Sequence, residues 1–394
     1  MRIGIDLRTL SDGKTTGVEV YTTSLLNEIF KIDKANEYVL FSNSFKNTTD
    51  FALRFDYSNV TVKHYNFPNR LLNASLRFLS YPKIDKLVGG LDMFFAPRYL
   101  FSALSPKCKL IITTHDLSFV HRPDFSTWQR RLWHKIISDR SVAKKASYIL
   151  ADSQSTKNDI VKYFQTPEEK VKVVRLGLDH HLFNLNSDDG EERKFRDKRK
   201  LHRPFILYLG TIEPRKNILG ILEAYEKIRK TTDDDLELVL VGRLGWLYEK
   251  VLKKISESVF KNDIKIVNNL KEPEKPHLYR MARLMIFPSF YEGFGLPPLE
   301  AMACGTPVIA AMNSSFPEVL GESCVYVNPH NSNQIVQALT VLLSDDEMYG
   351  QYSKKGAEQA KKFSWEKTAQ ETVDIFNQIR NTNINFLNNN HGAK

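Results

Sequence analysis

The chain has 394 residues, a formal net charge of +10 and a pI near 9.2, with 42% apolar and 26% charged residues. That length exceeds one comfortable core, so two domains are expected, and the ordinary apolar content argues against a disordered chain. No apolar run reaches the roughly 18–20 residues that a bilayer-spanning helix needs, and the positive balance favours anionic partners such as diphosphates, nucleic acid or an anionic membrane surface.

The N-terminal residues form a predicted strand over 2–7 and lack the apolar region of a signal peptide. Cys108, Cys304 and Cys324 are odd in number and sit in apolar or helical contexts, so buried reduced thiols and a cytoplasmic location are expected. A polar turn follows over 11–17, then helical spacing over 18–30 with Val20, Leu25, Leu26 and Ile29 near one face. Strand, Gly-bearing loop and helix look like the first unit of a doubly wound sheet. Gly13 and Gly17 do not make a GxGxxG, so the loop reads either as a plain connection or as one facing a ligand crevice.

Further strands are expected over 38–41, 60–64, 92–97 and 109–116, the last ending in His115-Asp116, where a central parallel strand delivers side chains to a ligand. Between them, residues 69–90 are basic and aromatic, with Arg70, Arg77, Phe78, Tyr81 and Lys83. A candidate helix over 127–146 carries six Arg and Lys against the single acid Asp139. It reads as a surface helix packed by its apolar stripe, or as one that meets anionic lipid head groups. Strands over 147–152 and 171–175 complete this half.

Residues 184–202 mix acids and then bases, as an interdomain linker would. The pattern restarts with a strand over 203–210, a turn over 211–217 and a helix over 218–229, for which Asn217 is a candidate N-cap, with Lys216 or the turn itself as the alternative end of the loop. Arg215 and Lys216 then flank a helix N-terminus after a central strand, a place suited to phosphate. A strand over 236–241 ends at Gly242 and Arg243, and one over 263–267 leads to Asn269 and Leu270. Asp233-Asp234-Asp235 precedes a strand instead of ending one, so it reads as a loop, and no metal constellation emerges.

The most informative stretch follows a buried strand over 284–287: Glu292-Gly293-Phe294-Gly295-Leu296, then a helix that Pro297 and Pro298 can open and Gly305 can end. Backbone N–H groups of Gly293, Phe294, Gly295 and Leu296 at a helix N-terminus make an anion site. Glu292 and Glu300 flank it. A phosphate nest beside two acids able to grip hydroxyls points to a sugar nucleotide. A last helix is expected over about 367–380, followed by an Asn-rich tail.

These residues resemble the family 4 glycosyltransferases over nearly the whole chain, most specifically through Glu292, seven intervening residues and Glu300 in their Gly- and Pro-rich context. Gly13 to Gly17 before Tyr21, His115-Asp116, the 209–217 turn and Phe363-Ser364-Trp365 add to the match, and the wording is most similar to bacterial O-antigen mannosyltransferases. The resemblance implies the α/β GT-B fold, with two facing Rossmann-like domains and an interdomain cleft. It implies an acceptor-binding domain over 1–183, a linker over 184–202, a donor domain over 203–365 and a tail over 383–394, with the helix near 366–382 packing back on the first domain.

It further implies a retaining transferase without cofactor or metal, moving a hexose, foremost mannose from GDP-mannose, to a lipid-linked oligosaccharide or glycan. Lys216 would hold the diphosphate, and Arg215 would supply a charge that many relatives place at the position of Thr211. Glu292 would bind sugar hydroxyls and Glu300 the ribose, while Gly293 to Leu296 would face sugar and diphosphate. Asn269 and Leu270 would lie near the base, His115 would line the sugar pocket, and Gly17, Thr211 and Gly242 complete the donor set. A UDP- or ADP-sugar donor or a sugar-nucleotide epimerase of the same fold are the alternatives. Nucleic acid is not an expected partner, since no recognition-helix motif or interleaved stacking aromatics are present.

Overall fold

In the computed structural model, residues 1–10, 17–44, 54–125, 128, 139–231 and 235–391 are described. The turn residues 11–16, most of the predicted basic helix 127–146, and Asp233 and Asp234 lie outside them; of that helix, Trp128 and the span Asp139–Lys145 are described.

The chain divides into two units. The first comprises Met1–Leu117, Leu132–Gly177 and Trp365–Lys394. Its seven strands are β1 (Arg2–Asp6), β2 (Glu37–Asn43), β3 (Val60–Tyr65), β4 (Met93–Ala96), β5 (Lys109–Thr114), β6 (Tyr148–Ala151) and β7 (Val171–Val173), in the order β3-β2-β1-β4-β5-β6-β7. Every pairing is parallel. Helices cover both faces of such a sheet, so β1, β2, β4, β5 and β6 read as continuous apolar runs with side chains almost wholly buried. The helix Gly17–Ile32 buries Leu25, Leu26 and Ile29 as its spacing predicts.

The last helix, Trp365–His391, also belongs to this unit: Trp365 lies 6.2 Å from Tyr21, Phe376 lies 5.6 Å from Phe95, and Thr368 donates to the carbonyl of Arg175 at 2.8 Å. It runs past the predicted end near Arg380 because no Gly or Pro interrupts the chain before Gly392.

The second unit comprises Ser118–Arg131 and Leu178–Ser364. Its strands are β8 (Phe205–Leu209), β9 (Glu237–Val241), β10 (Ile264–Val267), β11 (Leu284–Phe287), β12 (Val308–Ala311) and β13 (Val325–Val327), in the parallel order β10-β9-β8-β11-β12-β13. Counted within the unit this is 3-2-1-4-5-6, the doubly wound dinucleotide-binding order.

Two expectations change here. The predicted linker 184–202 contains the helix Asp189–Arg199, with Asp188 accepting from the N–H groups of Gly190 and Glu191 and Phe195 buried. Acids in its first turn and bases in its last complement the helix dipole, so the order of charges that read as a linker is a helix signal. Its Glu192 pairs with Arg280 at 2.5 Å, and its Arg199 with Glu274 at 2.7 Å, which ties it to the second unit. Residues 118–125, expected within the first half, also belong to the second unit.

Candidate active site

A doubly wound sheet opens a crevice where neighbouring strands send their connections to opposite sides. In the second unit that point lies between β8 and β11, which pair through Leu284–Ile206 and Met285–Leu207. The turn after β8 carries Glu213, Arg215 and Lys216, and the loop after β11 carries Glu292. Sheet order thus brings together side chains more than seventy residues apart.

Lys216 donates to Glu292 Oε1 at 2.6 Å, and Arg215 Nη1 donates to Glu292 Oε2 at 3.0 Å and to the carbonyl of Tyr291 at 2.8 Å. Arg215 also reaches back to Glu213, through Nε at 3.1 Å and Nη2 at 3.0 Å. Backbone bonds hold the two loops in register: Phe290 N–H donates to the carbonyl of Arg215 at 2.9 Å, and Glu292 N–H to Ser314 Oγ at 3.0 Å. Asn217 stands immediately before the helix Ile218–Thr231, and its carbonyl accepts from Ile221 N–H at 3.2 Å. It adopts φ 57°, and its amide donates to the carbonyls of Pro288 and Pro329, bracing the same loops.

Burial shifts these groups unequally. Burial pulls Glu292 upward, but Arg215 and Lys216 outweigh it and hold its carboxyl below the usual value. Burial, reinforced by Arg215, lowers Lys216 despite the two carboxylates. Burial raises Glu213, with Arg215 opposing. Two cations and two acids form a compact, hydrogen-bonded cluster in a low-dielectric place, where fixed charges act strongly on an incoming phosphate.

The helix Leu296–Ala303 begins beside it. Gly295 takes φ 102°, and a Cβ there would lie 2.5 Å from Phe316 Cε1. Pro297 and Pro298 remove two first-turn N–H groups, so the donors at this end are those of Gly293 to Leu296. Ser315 fixes the loop by donating to the carbonyls of Glu292 and Phe294.

Glu300 lies inside that helix, buried, and accepts from the Tyr279 hydroxyl at 2.7 Å with Lys275 Nζ at 3.5 Å. Burial raises its pKa, with Lys275 opposing. Gly242 has φ 143° and sits against the turn after β8: a Cβ there would lie 2.0 Å from the Gly210 carbonyl oxygen. Thr211 accepts from the Tyr208 hydroxyl through its carbonyl, and Ile212 N–H donates to the carbonyl of Arg243. Asn269, at φ 59°, is exposed after β10, with Leu270 half-buried beside it. Gly17 opens the first helix of the other unit and is exposed.

His115 stands at the carboxyl end of β5 in the first unit. Its Nδ1 is 2.7 Å from Asp152 Oδ2 and its Nε2 is 2.8 Å from the Pro97 carbonyl. A carbonyl only accepts, so Nε2 carries a proton, and a further proton binds between Nδ1 and Asp152, whose own pKa burial raises. Burial opposes charge on the ring, but Asp152 outweighs it and raises the His115 pKa. Tyr21 packs edge-on at 4.8 Å and bonds Thr113 at 2.9 Å.

Sequence reasoning missed Glu213, Tyr279, Lys275 and Asp152. Asp152 had a signal: it follows β6 as His115 follows β5, and those strands are neighbours. It also missed residues 118–125, whose Phe125 ring stacks on Phe290 at 5.3 Å while His121 meets Tyr291 at 5.2 Å, beside Glu292. Among the described residues, no three His, Cys, Asp or Glu side chains gather as metal ligands.

Residues 189–359 match the family described as glycosyl transferases group 1, and residues 15–182 match glycosyltransferase family 4. The chain is 30% identical over 270 residues to the O-antigen chain mannosyltransferase B of Escherichia coli, covering 68% of this chain and 70% of that one. This chain is a group 1 glycosyltransferase. Its fold is GT-B: the glycosyltransferase superposes on sucrose-phosphate synthase of Thermosynechococcus elongatus with a TM-score of 0.76 at 18% identity, covering 97% of this chain and 99% of that one. It also superposes on Anabaena HepE in complex with UDP-glucose, with a TM-score of 0.73 at 18% identity, covering 96% of this chain and all of that one.

Proposed function

We propose that this glycosyltransferase moves a mannosyl group from GDP-mannose to a lipid-linked oligosaccharide or glycan in surface polysaccharide assembly, at the cytoplasmic face of a membrane, retaining anomeric configuration and using no metal ion. The observation that carries the reading is the buried Arg215–Lys216–Glu292 cluster at the switch point of the second sheet. Mannose is supported by the name of the Escherichia coli relative.

As the anomeric C–O bond of the donor breaks, negative charge gathers on the leaving diphosphate. Lys216 and the N–H groups of Gly293 to Leu296 stabilise it, and Arg215 sets the loop that carries Glu292. Glu292 accepts from hydroxyls of the transferred sugar and Glu300 from the ribose, with Asn269 and Leu270 on the base side and Thr211 and Gly242 shaping the turn beneath. The acceptor oxygen bonds the anomeric carbon on the face the phosphate leaves, and its proton passes to that phosphate. The two glutamates belong to one loop and helix, so they grip the donor instead of flanking the anomeric carbon as a glycosidase pair would. His115 has both ring nitrogens engaged, by Asp152 and by the Pro97 carbonyl, and makes no proton transfer.

A second reading, a UDP-sugar donor, is favoured by the UDP-glucose complex of HepE. Thermal-shift titration with GDP-, UDP- and ADP-sugars, followed by transfer to a polyprenyl-diphosphate-linked acceptor and analysis of product anomericity with and without EDTA, tests both. GDP-mannose is expected to stabilise most and to give an α-product. An inverted product, or loss of transfer in EDTA, would overturn the mechanism.

A further inference from the structure

The carboxyl edge of the first sheet carries a surface whose large apolar side chains stay exposed among the described residues. The segment after β3 forms a short helix, Asn69–Ala74, continued by a wider turn over Ser75–Leu79. Leu72 and Leu76 point inward and are 5% and 3% exposed, anchoring it. Leu71, Phe78, Leu79 and Tyr81 point outward and are 69%, 74%, 73% and 68% exposed. Four large apolar or aromatic side chains left open within eleven residues are far from the scattered exposure of an ordinary surface.

The segment is held, not loose. Asn43, at the end of β2, accepts from Phe67 N–H at 3.0 Å and donates to the carbonyl of Phe67 at 3.0 Å and to Asn69 Oδ1 at 2.6 Å. Its charge has one sign: Lys63, Arg70, Arg77 and Lys83 occur between Asp56 and Asp85 with no acid among them. Asp85 itself is buried and bound to Ser105. Arg77 lies over the Phe78 ring at 5.6 Å, so a cation rides beside an exposed aromatic.

We infer that Leu71, Phe78, Leu79 and Tyr81, rimmed by Arg70, Arg77 and Lys83, form a docking surface for an anionic phospholipid bilayer. Apolar side chains enter the head-group boundary while the cations meet phosphate, the arrangement by which a protein lies on a membrane without crossing it. Charge complementarity selects this occupant: a second copy of the chain would bring the same positive rim against itself. Because all seven strands are parallel, this surface shares the carboxyl edge with His115, where a lipid-linked acceptor would be presented. The inference deepens the reading of a lipid-linked acceptor and takes its purpose from it, but vesicle binding is measured without any sugar nucleotide, so the two can fail separately.

The test is flotation of the full chain with phosphatidylcholine vesicles containing 0 or about 30% phosphatidylglycerol. Wild type is expected to float with the anionic vesicles and to be released by high salt only in part, because the apolar share of binding is unscreened. The variant L71S/F78S/L79S, altered only at exposed positions, is expected to lose about tenfold or more in partitioning. R70E is expected to lose several-fold on anionic vesicles alone. Both should keep wild-type thermal unfolding and nucleotide binding. Wild type that stays unbound, a triple variant that floats equally well, or equal binding to vesicles lacking phosphatidylglycerol would overturn the proposal. So would sedimentation showing a wild-type dimer that the triple variant abolishes, which would assign the surface to a second copy.

Discussion

Lys216 Nζ stands 2.6 Å from Glu292 Oε1, across 76 positions of sequence. The contact joins the connections of two adjacent strands, and neither partner keeps its ordinary proton affinity. Lys216→Met should lower kcat by about 100- to 1000-fold, the usual cost of removing one preorganised charge from a developing anion. Glu292→Gln should also depress turnover, and should lower the unfolding free energy by about 1–3 kcal/mol because Arg215 and Lys216 are left facing a neutral amide. Steady-state kinetics with urea unfolding check both. Wild-type turnover in Glu292→Gln would reduce that residue to a structural counter-ion.

Glu300 is gripped by Tyr279 and Lys275, away from that ion cluster. Glu300→Gln should weaken nucleotide binding about tenfold while leaving kcat close to wild type, the pattern of a contact made equally in ground and transition states. Calorimetry with GDP and UDP reads the change. An unaltered Kd for both would remove Glu300 from the binding surface.

Gly242 and Gly295 differ in what an added methyl would strike. At Gly242 it meets the carbonyl oxygen of Gly210 at 2.0 Å, and backbone between two central strands cannot retreat. At Gly295 it meets the Phe316 ring, a side chain instead of backbone. Both positions also demand positive φ. Gly242→Ala should therefore abolish soluble folding, whereas Gly295→Ala should fold with about 1–3 kcal/mol less stability and weakened donor binding. Expression yield and thermal melts distinguish them.

The His115–Asp152 pair makes a pH prediction. The native His115 pKa lies above its ordinary 6.5, so its contribution to stability is full below that pH and is lost as pH rises through the native value. The difference in unfolding free energy between wild type and His115→Gln should shrink steadily above pH 6.5. A difference independent of pH would mean that His115 is neutral in the folded protein.

Cys108, Cys304 and Cys324 are buried and free, and burial pushes each thiol up to about 12. At pH 8 none should react with iodoacetamide in the native protein, and all three should react after denaturation. Mass spectrometry counts the adducts. Rapid native labelling of any one would contradict its burial.

Much of this was legible in the chain. Apolar runs placed the strands, Pro297 and Pro298 marked the start of a helix, and Glu292 to Glu300 pointed to a sugar nucleotide, because each is a local pattern that its own residues enforce. The reading of 184–202 failed for want of a hydrophobic signal: Phe195 alone anchors a helix whose evidence was its order of charges. Residues 118–125 misled for another reason, since their place depends on aromatic partners in the second unit.

The sequence by itself determined where the strands, turns and glycine-dependent bends fall, since dihedral preference and periodicity are set within a few residues. The tertiary structure alone decided that Lys216 and Arg215 clamp Glu292, that Tyr279 holds Glu300, and that Asp152 pairs with His115. Those pairings follow from which strands lie side by side in a parallel sheet, and crossovers of a dozen or more residues leave no local trace of that order.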